Sequence, residues 1–399
     1  MRLSGMKILL TQAHLIRYQG SEIVTLELAE YFAGEGAEVL VVTHAIGHPA
    51  SDGLQGMAGV TLLQLDDPAL EENLRDRLPD LAWVHHSMLP MAVLEHAERI
   101  VFVFHHMSSI LAAEFFMAAA LETELATAVL FESPKSRDVH VATGIYDDLP
   151  AERLQVMGNP ASPGFAAQRR GDGTGRILVV SNHLAPEVRE AVDSLRDDFE
   201  VALVGSQRDL GAEPQRVTPD LIASADAVVT IGKTVQYSMV VGTPVYVYDQ
   251  FGGPGWLDQD NLEQTAYENF SGRGFASKSA AEIAAEIRDG LAEARVRADE
   301  LRTLALRRYE LSARIETLLE YIEAHRRDVA PIDRRRARAH DLVQQAFGSY
   351  VRELSRVQRD AEFLRGDVAG LTDALANVER DFDRVTTKPL VKLALKASR

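Results

Sequence analysis

The hydrophobic pattern alternates short apolar runs with amphipathic helical segments over the first 275 residues. Seven runs before residue 160 predict the strands of a first sheet: 7–11, 37–43, 60–65, 81–85, 100–104, 128–132 and 154–157. Four more predict a second sheet: 176–181, 200–205, 227–231 and 244–248. Continuous apolar strands separated by helices are typical of parallel sheets covered on both faces. The pattern therefore predicts two α/β domains.

Turn and linker residues set the domain boundaries. Asn159-Pro160 marks a turn after the first series of strands, and the polar, glycine-rich stretch 168–175 is typical of a linker. We expect a first Rossmann-like domain over residues 1–165 and a second over 166–330, completed by closing helices at 279–294 and 297–325. Two such domains joined by a hinge imply a cleft between them, which is the usual place for a substrate.

From residue 331 onward the pattern is helical, and apolar residues recur at spacings of three and four. The two interleaved series are Phe347, Leu354, Ala361, Val368, Leu375, Phe382 and Val343, Tyr350, Val357, Leu364, Leu371, Val378, Val385. This repeat predicts a coiled coil over 331–387 that joins copies of the chain, although Gly366 and Gly370 weaken it. The alternative is a long helix that packs back on its own domain.

The last twelve residues, 388–399, carry four basic side chains and no acidic one. Lysines at four-residue intervals lie opposite leucines, so the segment predicts a basic amphipathic tail that contacts anionic lipid. The alternative is a solvated terminus. No uncharged run approaches the roughly 18 residues needed to span a bilayer.

The charge and cysteine content narrow the function classes. The chain has 399 residues and a formal net charge of -17, which argues against nucleic-acid binding because a phosphate backbone would be repelled. It contains no cysteine, which fits a reducing cytoplasm. We expect a cytoplasmic protein with its basic tail at the inner face of the membrane.

The stretch 225–256 forms the chemical centre of the sequence. Gly232, Lys233 and Thr234 follow a predicted strand and open a helix, and Asp249 to Gly253 follow the next strand. Loops at the carboxyl ends of parallel strands can hold a phosphate through helix N–H groups. A P-loop is excluded because its first glycine position holds Ala227, and no G-x-G-x-x-G supports a nicotinamide site.

Two predicted strands of the first domain end in histidine pairs, His85-His86 and His105-His106. No H-E-x-x-H or similar spacing completes a metal set, so we expect no metal. His105 or His106 is a candidate acid or base that lines the cleft. The alternative is a hydrogen-bonded histidine at a strand end.

Several stretches resemble the two-domain glycosyltransferase fold called GT-B, and within it the bacterial family-4-like transferases. KILLTQAHLIRYQGSEIVTLELAEYFAGEGAEVLVVT is similar to the opening strand, acceptor loop, helix and second strand of that family. SADAVVTIGKTVQYSMVVGTPVYVYD is similar to its donor-binding unit, and YDQFGGPGWL with NFSGRGF resembles a subgroup of surface-polysaccharide transferases. The resemblance covers about residues 6 to 325.

This resemblance implies a metal-independent hexosyltransferase, with no cofactor, that moves sugar from a nucleotide diphosphate sugar to a cell-surface or capsular glycan, or to a lipid-linked one. His105 or His106 would be catalytic, and the acceptor side would contain Gly20, Ser21 and Glu22. The donor-binding residues would be Asn182, His183, Gly232, Lys233, Thr234, Gln236, Tyr237, Asp249, Phe251, Gly252 and Gly253.

The chain also departs from the family pattern. Val229 and Tyr237 occupy the places of two donor-binding glutamates, and Ser181-Asn182-His183 replaces the usual arginine and lysine for the diphosphate. One alternative is therefore a non-catalytic scaffold of a glycan-synthesis complex. A sugar-nucleotide 2-epimerase is a second alternative, disfavoured because Gln236 and Tyr237 replace its paired glutamates.

Overall fold

The computed structural model describes residues 2–109, 118–171, 173–206, 212 and 214–386. Residues 1–345 form one compact unit, and residues 346–399 form a second. The two predicted α/β domains both lie in the first unit. The predicted basic tail, 388–399, lies outside the described residues.

The first domain is built on a seven-stranded parallel sheet with the strand order β3-β2-β1-β4-β5-β6-β7. Its strands are β1 Lys7–Leu15, β2 Glu38–Ile46, β3 Val60–Gln64, β4 Leu81–Val84, β5 Val101–His106, β6 Ala126–Phe131 and β7 Leu154–Val156. All seven predicted strands are present. The chain order reverses between β1 and β4, which is where a doubly wound sheet opens a crevice at its carboxyl edge.

The second sheet has five strands in the order β12-β11-β10-β8-β9. They are β8 Arg176–Val180, β9 Glu200–Val204, β10 Ala227–Thr230, β11 Val245–Asp249 and β12 Gly252–Trp256. The first four are parallel, as predicted. The fifth pairs antiparallel with β11, whereas the glycine-rich sequence predicted only a loop there, because glycine and proline are depleted in strands.

Helices cover both sheets. In the first domain they are α1 Gly20–Gly34, α2 Pro68–Asp76, α3 Met91–Glu95, α4 Ala119–Leu125 and α5 Pro134–Val141. After these come α6 Pro163–Ala167, whose Phe165 joins the core of the second sheet, and then α7 Pro186–Leu195, α8 Pro219–Ala223, α9 Lys233–Val241, α10 Leu262–Tyr267, α11 Ala280–Arg308, α12 Leu311–Ala324 and α13 Arg334–Thr386. Short 3₁₀ turns occupy Ala50–Gly53, Ala97–Arg99 and Ala151–Arg153.

The break between the two closing helices falls at residues 309–310 instead of the predicted 295–296. Glu310 caps the new helix by accepting hydrogen bonds from the backbone N–H groups of Ser312 and Ala313. The stretch around 295 contains no glycine or proline that would end a helix, so α11 runs through it.

Helix α12 returns to the first domain. Its buried side chains are spaced as one face of a helix, and they join the core under α1 and the first sheet: Leu311, Ile315, Leu318, Leu319 and Ile322. On the opposite face of the same sheet, Ile332 and Ala337 join the second core. Helix α12 and residues 332–337 therefore stabilise the first domain. The prediction placed α12 in the second domain and residues from 331 onward in the coiled coil.

Helix α13 extends beyond the first unit and ends at Thr386. Within the part of the chain that the structure describes, no helix is long and apolar enough to cross a membrane.

Candidate functional site

A cavity of about 340 Å³ lies where the carboxyl edge of the second sheet faces the start of α1. Tyr18, Gln19, Gly20 and Ile23 form the wall from the first domain. The second domain supplies the loop ends after β8, β9, β10 and β11 and the first two turns of α9. A volume in the range of roughly 300–1,000 Å³ is typical of small-molecule sites.

Two loop ends of the second sheet meet at the rim of the cavity. Ser181, Asn182 and His183 follow β8, and the His183 N–H donates to Ser181 Oγ at 3.1 Å. Gly205, after β9, has a φ of 152°, and a Cβ there would lie 1.8 Å from the Ser181 carbonyl oxygen. Only glycine allows the loops this close. Asn182 and His183, both predicted donor contacts, are exposed at this rim.

Lys233 lines the cavity, but its ammonium is held by protein groups. It lies 2.8 Å from Glu27 Oε2 of α1 and donates to the Pro160 carbonyl at 2.5 Å. The Lys233 and Glu27 side chains are 8% and 2% exposed. Burial lowers the pKa of Lys233, while the Glu27 carboxylate opposes this. The Lys233 charge, which was predicted to bind the donor, is therefore already neutralised by Glu27 of the first domain.

Tyr237 lies one turn along α9 and contacts the same carboxylate. Its hydroxyl donates to Glu27 Oε1 at 2.6 Å, and its ring stacks on Phe165 with centroids 3.9 Å apart. The Lys233 ammonium lies 4.9 Å from the centroid of the same ring. Burial raises the pKa of Tyr237 well above its usual value, so the hydroxyl stays protonated as a donor.

Arg216 is a second cation that lines the cavity, and no sequence pattern indicated it. Its guanidinium forms a bidentate pair with Glu30 of α1, at 2.5 and 2.7 Å. The pair raises the pKa of Arg216 further. The two side chains are 27% and 31% exposed, in contrast to the buried Lys233–Glu27 pair. A partly exposed pair can exchange partners at much lower cost than a buried one.

Helix α1 thus supplies a carboxylate to each of these two cations. Glu27 lies between Leu26 and Leu28, and all three are buried. A glutamate inside an otherwise apolar helix segment is the one sequence signal that could have revealed the contact, since buried charges need partners.

Asp249, the last residue of β11, forms the acidic end of the cavity. Burial raises its pKa, against the opposing influence of the Gln250 backbone, His183 and Arg273. Nearby, the Arg273 guanidinium lies 3.7 Å from the centroid of the Phe251 ring, which is 43% exposed. Phe251, a predicted donor contact, is on the surface beside the cavity and does not line it.

The predicted donor-site glycines do not line the cavity; they allow close approach or an unusual conformation of the backbone. A Cβ on Gly252 would lie 2.5 Å from the Phe275 carbonyl, and one on Gly253 would lie 2.1 Å from the Val247 carbonyl. Both glycines therefore let β12 pack against its neighbours. Gly232 precedes α9 with a φ of 62°, and its N–H donates to the Phe270 carbonyl at 3.0 Å.

Of the other predicted α9 residues, Thr234 lines the cavity, whereas Gln236 is 1% exposed and is not part of the wall. On the acceptor side, Gly20 lines the cavity, and Ser21 and Glu22 do not.

His105 and His106 lie at the carboxyl end of β5, below the surface, at 2% and 5% exposure. His105 Nδ1 lies 3.3 Å from the Trp83 indole N–H and 3.2 Å from His85 Nε2. Burial lowers the pKa of His105 well below its usual value, and nearby His85 adds to this. His105 is therefore a neutral, buried ring that does not line the cavity.

His106 belongs to a separate buried cluster. Its Nε2 lies 2.7 Å from Glu122 Oε1 and 2.9 Å from the Tyr146 hydroxyl, which donates to the same carboxylate at 2.6 Å. The ring stacks on Phe131 with centroids 5.4 Å apart. These contacts match the alternative interpretation, in which a histidine at a strand end is satisfied by its own domain.

His14 is a further functional candidate, and it was not among the predicted site residues. It lies near the end of β1, its Nδ1 is 3.0 Å from Glu22 Oε1, and its side chain is 37% exposed, whereas Glu22 is 1% exposed. Burial lowers the pKa of His14, but the Glu22 carboxylate outweighs this, so the pKa is raised overall. Ser21 Oγ donates to Glu22 Oε2 at 3.1 Å and holds the carboxylate in place.

An oriented, partly exposed imidazole with a buried carboxylate behind it is the arrangement of a general base. Its carboxylate, Glu22, lies in the first turn of α1, the helix whose start lines the cavity, whereas neither His14 nor Glu22 is itself part of the cavity wall. Lone histidines carry no spacing signal, so His14 could not be distinguished in the sequence.

Among the described residues, no group of three or more His, Asp or Glu side chains is arranged to hold a metal ion.

No protein-family model matches the sequence, and no curated protein sequence is significantly similar to it. Among solved structures, a glycosyltransferase from Rickettsia africae matches with a TM-score of 0.53 over 80% of this chain and 98% of its own, at 13% identity. An alpha-glucosyltransferase in complex with UDP matches with a TM-score of 0.50 over 80% of this chain and 100% of its own, at 10% identity. The chain has a GT-B fold.

In this GT-B fold the cavity lies between the two Rossmann-like domains, as the resemblance implied. The second domain contributes its carboxyl edge, and the first contributes the start of α1.

Proposed function

We propose that the chain is a glycosyltransferase that binds a nucleotide diphosphate sugar in the cavity between its domains. The observation that carries the proposal is the cavity itself, of about 340 Å³, bounded by the carboxyl ends of four strands and by the start of α9. Carboxyl edges of parallel sheets are where such folds bind nucleotides. The two solved structures described above are both of proteins called glycosyltransferases or glucosyltransferases.

In this proposal the start of α9 and Arg216 receive the diphosphate. The backbone N–H groups at a helix start favour an anion. Arg216 can leave the half-exposed Glu30 and bind phosphate oxygens in the same bidentate manner. Lys233 stays with Glu27, because separating a buried pair leaves an uncompensated charge. Positive charge at the diphosphate stabilises the leaving group without a metal.

His14 is the proposed base for the acceptor hydroxyl. Nδ1 contacts Glu22, which leaves Nε2 to take the proton as the hydroxyl oxygen attacks the anomeric carbon and the bond to the diphosphate breaks. The imidazolium that forms is stabilised by the Glu22 carboxylate. This assignment favours an inverting reaction, which needs such a base. It replaces His105 and His106 as the proposed catalytic histidines.

We further propose a cell-surface or capsular glycan, free or lipid-linked, as the acceptor, and hexose as the transferred sugar. Support comes only from the resemblance of the stretches YDQFGGPGWL and NFSGRGF to surface-polysaccharide transferases. Self-association through α13 and contact of the tail 388–399 with anionic lipid would place the enzyme at the inner face of the membrane.

The experiment is to incubate the purified full chain with a panel of UDP, GDP and dTDP sugars, and to measure thermal shift and donor turnover. We expect one nucleotide class to raise the melting temperature and to be turned over. No thermal shift and no turnover with any sugar of the panel would contradict the transferase proposal and favour the non-catalytic scaffold. The absence of the two donor-binding glutamates also favours the scaffold.

A further inference from the structure

The part of α13 within residues 346–386 carries a continuous apolar seam. With Phe347 as position a of a heptad, the described a and d side chains are Phe347, Tyr350, Leu354, Val357, Ala361, Leu364, Val368, Leu371, Leu375, Val378 and Phe382. Every one of these from Tyr350 onward, apart from Ala361, is 43–71% exposed. A strict a/d pattern of this kind is the seam of a coiled coil.

The two glycines do not interrupt the seam. Gly366 lies at position f and Gly370 at position c, both on the outer side of the helix. A Cβ on either glycine would meet open space. The seam therefore runs over the whole segment, which is about 60 Å long at the rise of an α-helix.

A seam this long requires a partner with the same repeat. Isolated helices are marginal in water, and most helical stability comes from burial of an apolar face. A second copy of the chain carries the same seam and is present wherever the first copy is, so no other protein is needed as the partner.

The charges beside the seam select the orientation. Positions g hold Glu353, Asp360 and Asp367, and an e position holds Arg365. In a parallel pair each g residue faces the e residue five positions on in the other helix, so Asp360 meets Arg365 of the second copy. In an antiparallel pair g faces g, which sets acidic residues against acidic ones. Asp360 also forms an ion pair with Arg356 of its own helix at 3.2 Å. In this contact the Asp360 carboxylate stays beside the seam, where Arg365 of the second copy would meet it.

We propose that residues 346–386 join two copies of the chain in a parallel, in-register coiled coil. This inference stands on the seam and its flanking charges and is independent of the glycosyltransferase proposal.

The absence of cysteine from the sequence makes a direct test available. Val357→Cys and Leu375→Cys each place one thiol on the seam, nine residues either side of the midpoint of the segment. Arg359→Cys, at the exposed outer position f, is the matched control. Each full-length variant is oxidised at low concentration, and disulfide-linked dimer is measured on a non-reducing gel.

A parallel, in-register pair predicts that Val357→Cys and Leu375→Cys each form dimer alone, at least tenfold faster than Arg359→Cys. An antiparallel pair places residue 357 against residue 375, so cross-linking only after the two variants are mixed would overturn the orientation. Equal rates for all three variants would overturn the coiled coil.

Sedimentation of the unmodified chain gives a second, independent measurement. We expect twice the monomer mass, and the monomer mass for Val368→Asp with Leu371→Asp, while the melting temperature of the first unit is unchanged. A monomeric unmodified chain, or a dimer that survives the double substitution, would overturn the proposal.

Discussion

The carboxyl edges of the two sheets differ in what their polar side chains do. At the edge of the first sheet, His105 contacts Trp83 and His85, and His106 contacts Glu122 and Tyr146, all within one domain. At the edge of the second sheet, the rim residues after β8 and β9 face an open cavity. The same kind of parallel sheet thus gives a buried polar interior in one domain and a binding surface in the other.

Residue type alone is therefore a poor guide to function when burial is unknown. A polar group that has found partners inside its own domain is costly to remove and unavailable to a ligand. His14 is the exception in the first domain, because its side chain is partly exposed while its carboxylate partner is buried.

The largest expected effect comes from His14→Asn. Removal of the proposed base should lower the transfer rate by about 10²–10⁴-fold. Donor affinity, measured by calorimetry, should not change. His48→Asn is the matched control, because His48 pairs with the exposed Asp52 at 2.5 Å and is itself 81% exposed. A transfer rate for His14→Asn equal to that of the control would remove His14 from the mechanism.

Lys233→Met should lower the free energy of unfolding by about 3–5 kcal/mol, because it leaves the buried Glu27 carboxylate unpaired. Chemical denaturation measures this. Lys135→Met is the control, since Lys135 is 38% exposed in its pair with Glu268 and should cost about 1 kcal/mol or less. Adding Glu27→Gln to Lys233→Met should restore part of the loss. A loss no larger than that of the control would contradict the buried Lys233–Glu27 pair as a stabilising contact.

Arg216→Gln should weaken donor binding by about tenfold or more, since a hydrogen bond to a charged group contributes roughly 1.5–3 kcal/mol. Arg288→Gln, which removes a surface pair with Asp198 away from the cavity, is the control. Calorimetric titration with the nucleoside diphosphate alone would suffice. Equal affinity in both variants would exclude Arg216 from the donor site.

The pH dependence of the transfer rate should follow His14. Since the base must be neutral and its pKa is raised in the folded protein, the rate should rise with pH through a value above 6.5. Glu22→Gln should move the rising part of the pH–rate profile to lower pH, because it removes the carboxylate that raises the pKa of His14. For stability the sign is opposite: the protonated pair stabilises the fold below the unfolded pKa, and this is lost as pH rises through the folded pKa. An unchanged pH–rate profile in Glu22→Gln would contradict the pairing of His14 with Glu22.

The smallest effect on transfer is expected from His105→Asn. Because His105 is 2% exposed, whereas the His14 side chain is 37% exposed, the transfer rate at saturating donor should stay within a few-fold of the unmodified protein, although the melting temperature falls. A rate loss as large as that of His14→Asn would reverse the comparison between the two sheet edges.

The architecture was predictable because strand burial leaves a strong local signal. Continuous apolar runs located the strands that were predicted in both sheets, and the antiparallel β12 was missed because glycines and a proline form it. The packing of α12 against the first domain was also missed. A pattern of apolar positions shows which face of a helix is buried, but it does not show which sheet that face packs against.

The candidate site was predictable only in part. Asn182, His183, Thr234 and Asp249 follow strand ends or begin a helix, and sequence order alone placed them near the cavity. Glu27 and Arg216 act through contacts between residues about 200 positions apart, as in the Tyr237–Glu27 and Arg216–Glu30 pairs. No local pattern encodes such contacts.

If a nucleotide sugar binds between the domains, a bulky side chain that fills the cavity from the wall of α1 should prevent binding. Gly20 lines the cavity and Gly34 ends the same helix outside it, and an added Cβ meets open space at both. Calorimetric titration with the best donor of the panel should show binding to the unmodified protein and to Gly34→Trp, and none to Gly20→Trp. Unchanged binding to Gly20→Trp would show that the nucleotide sugar does not bind in this cavity.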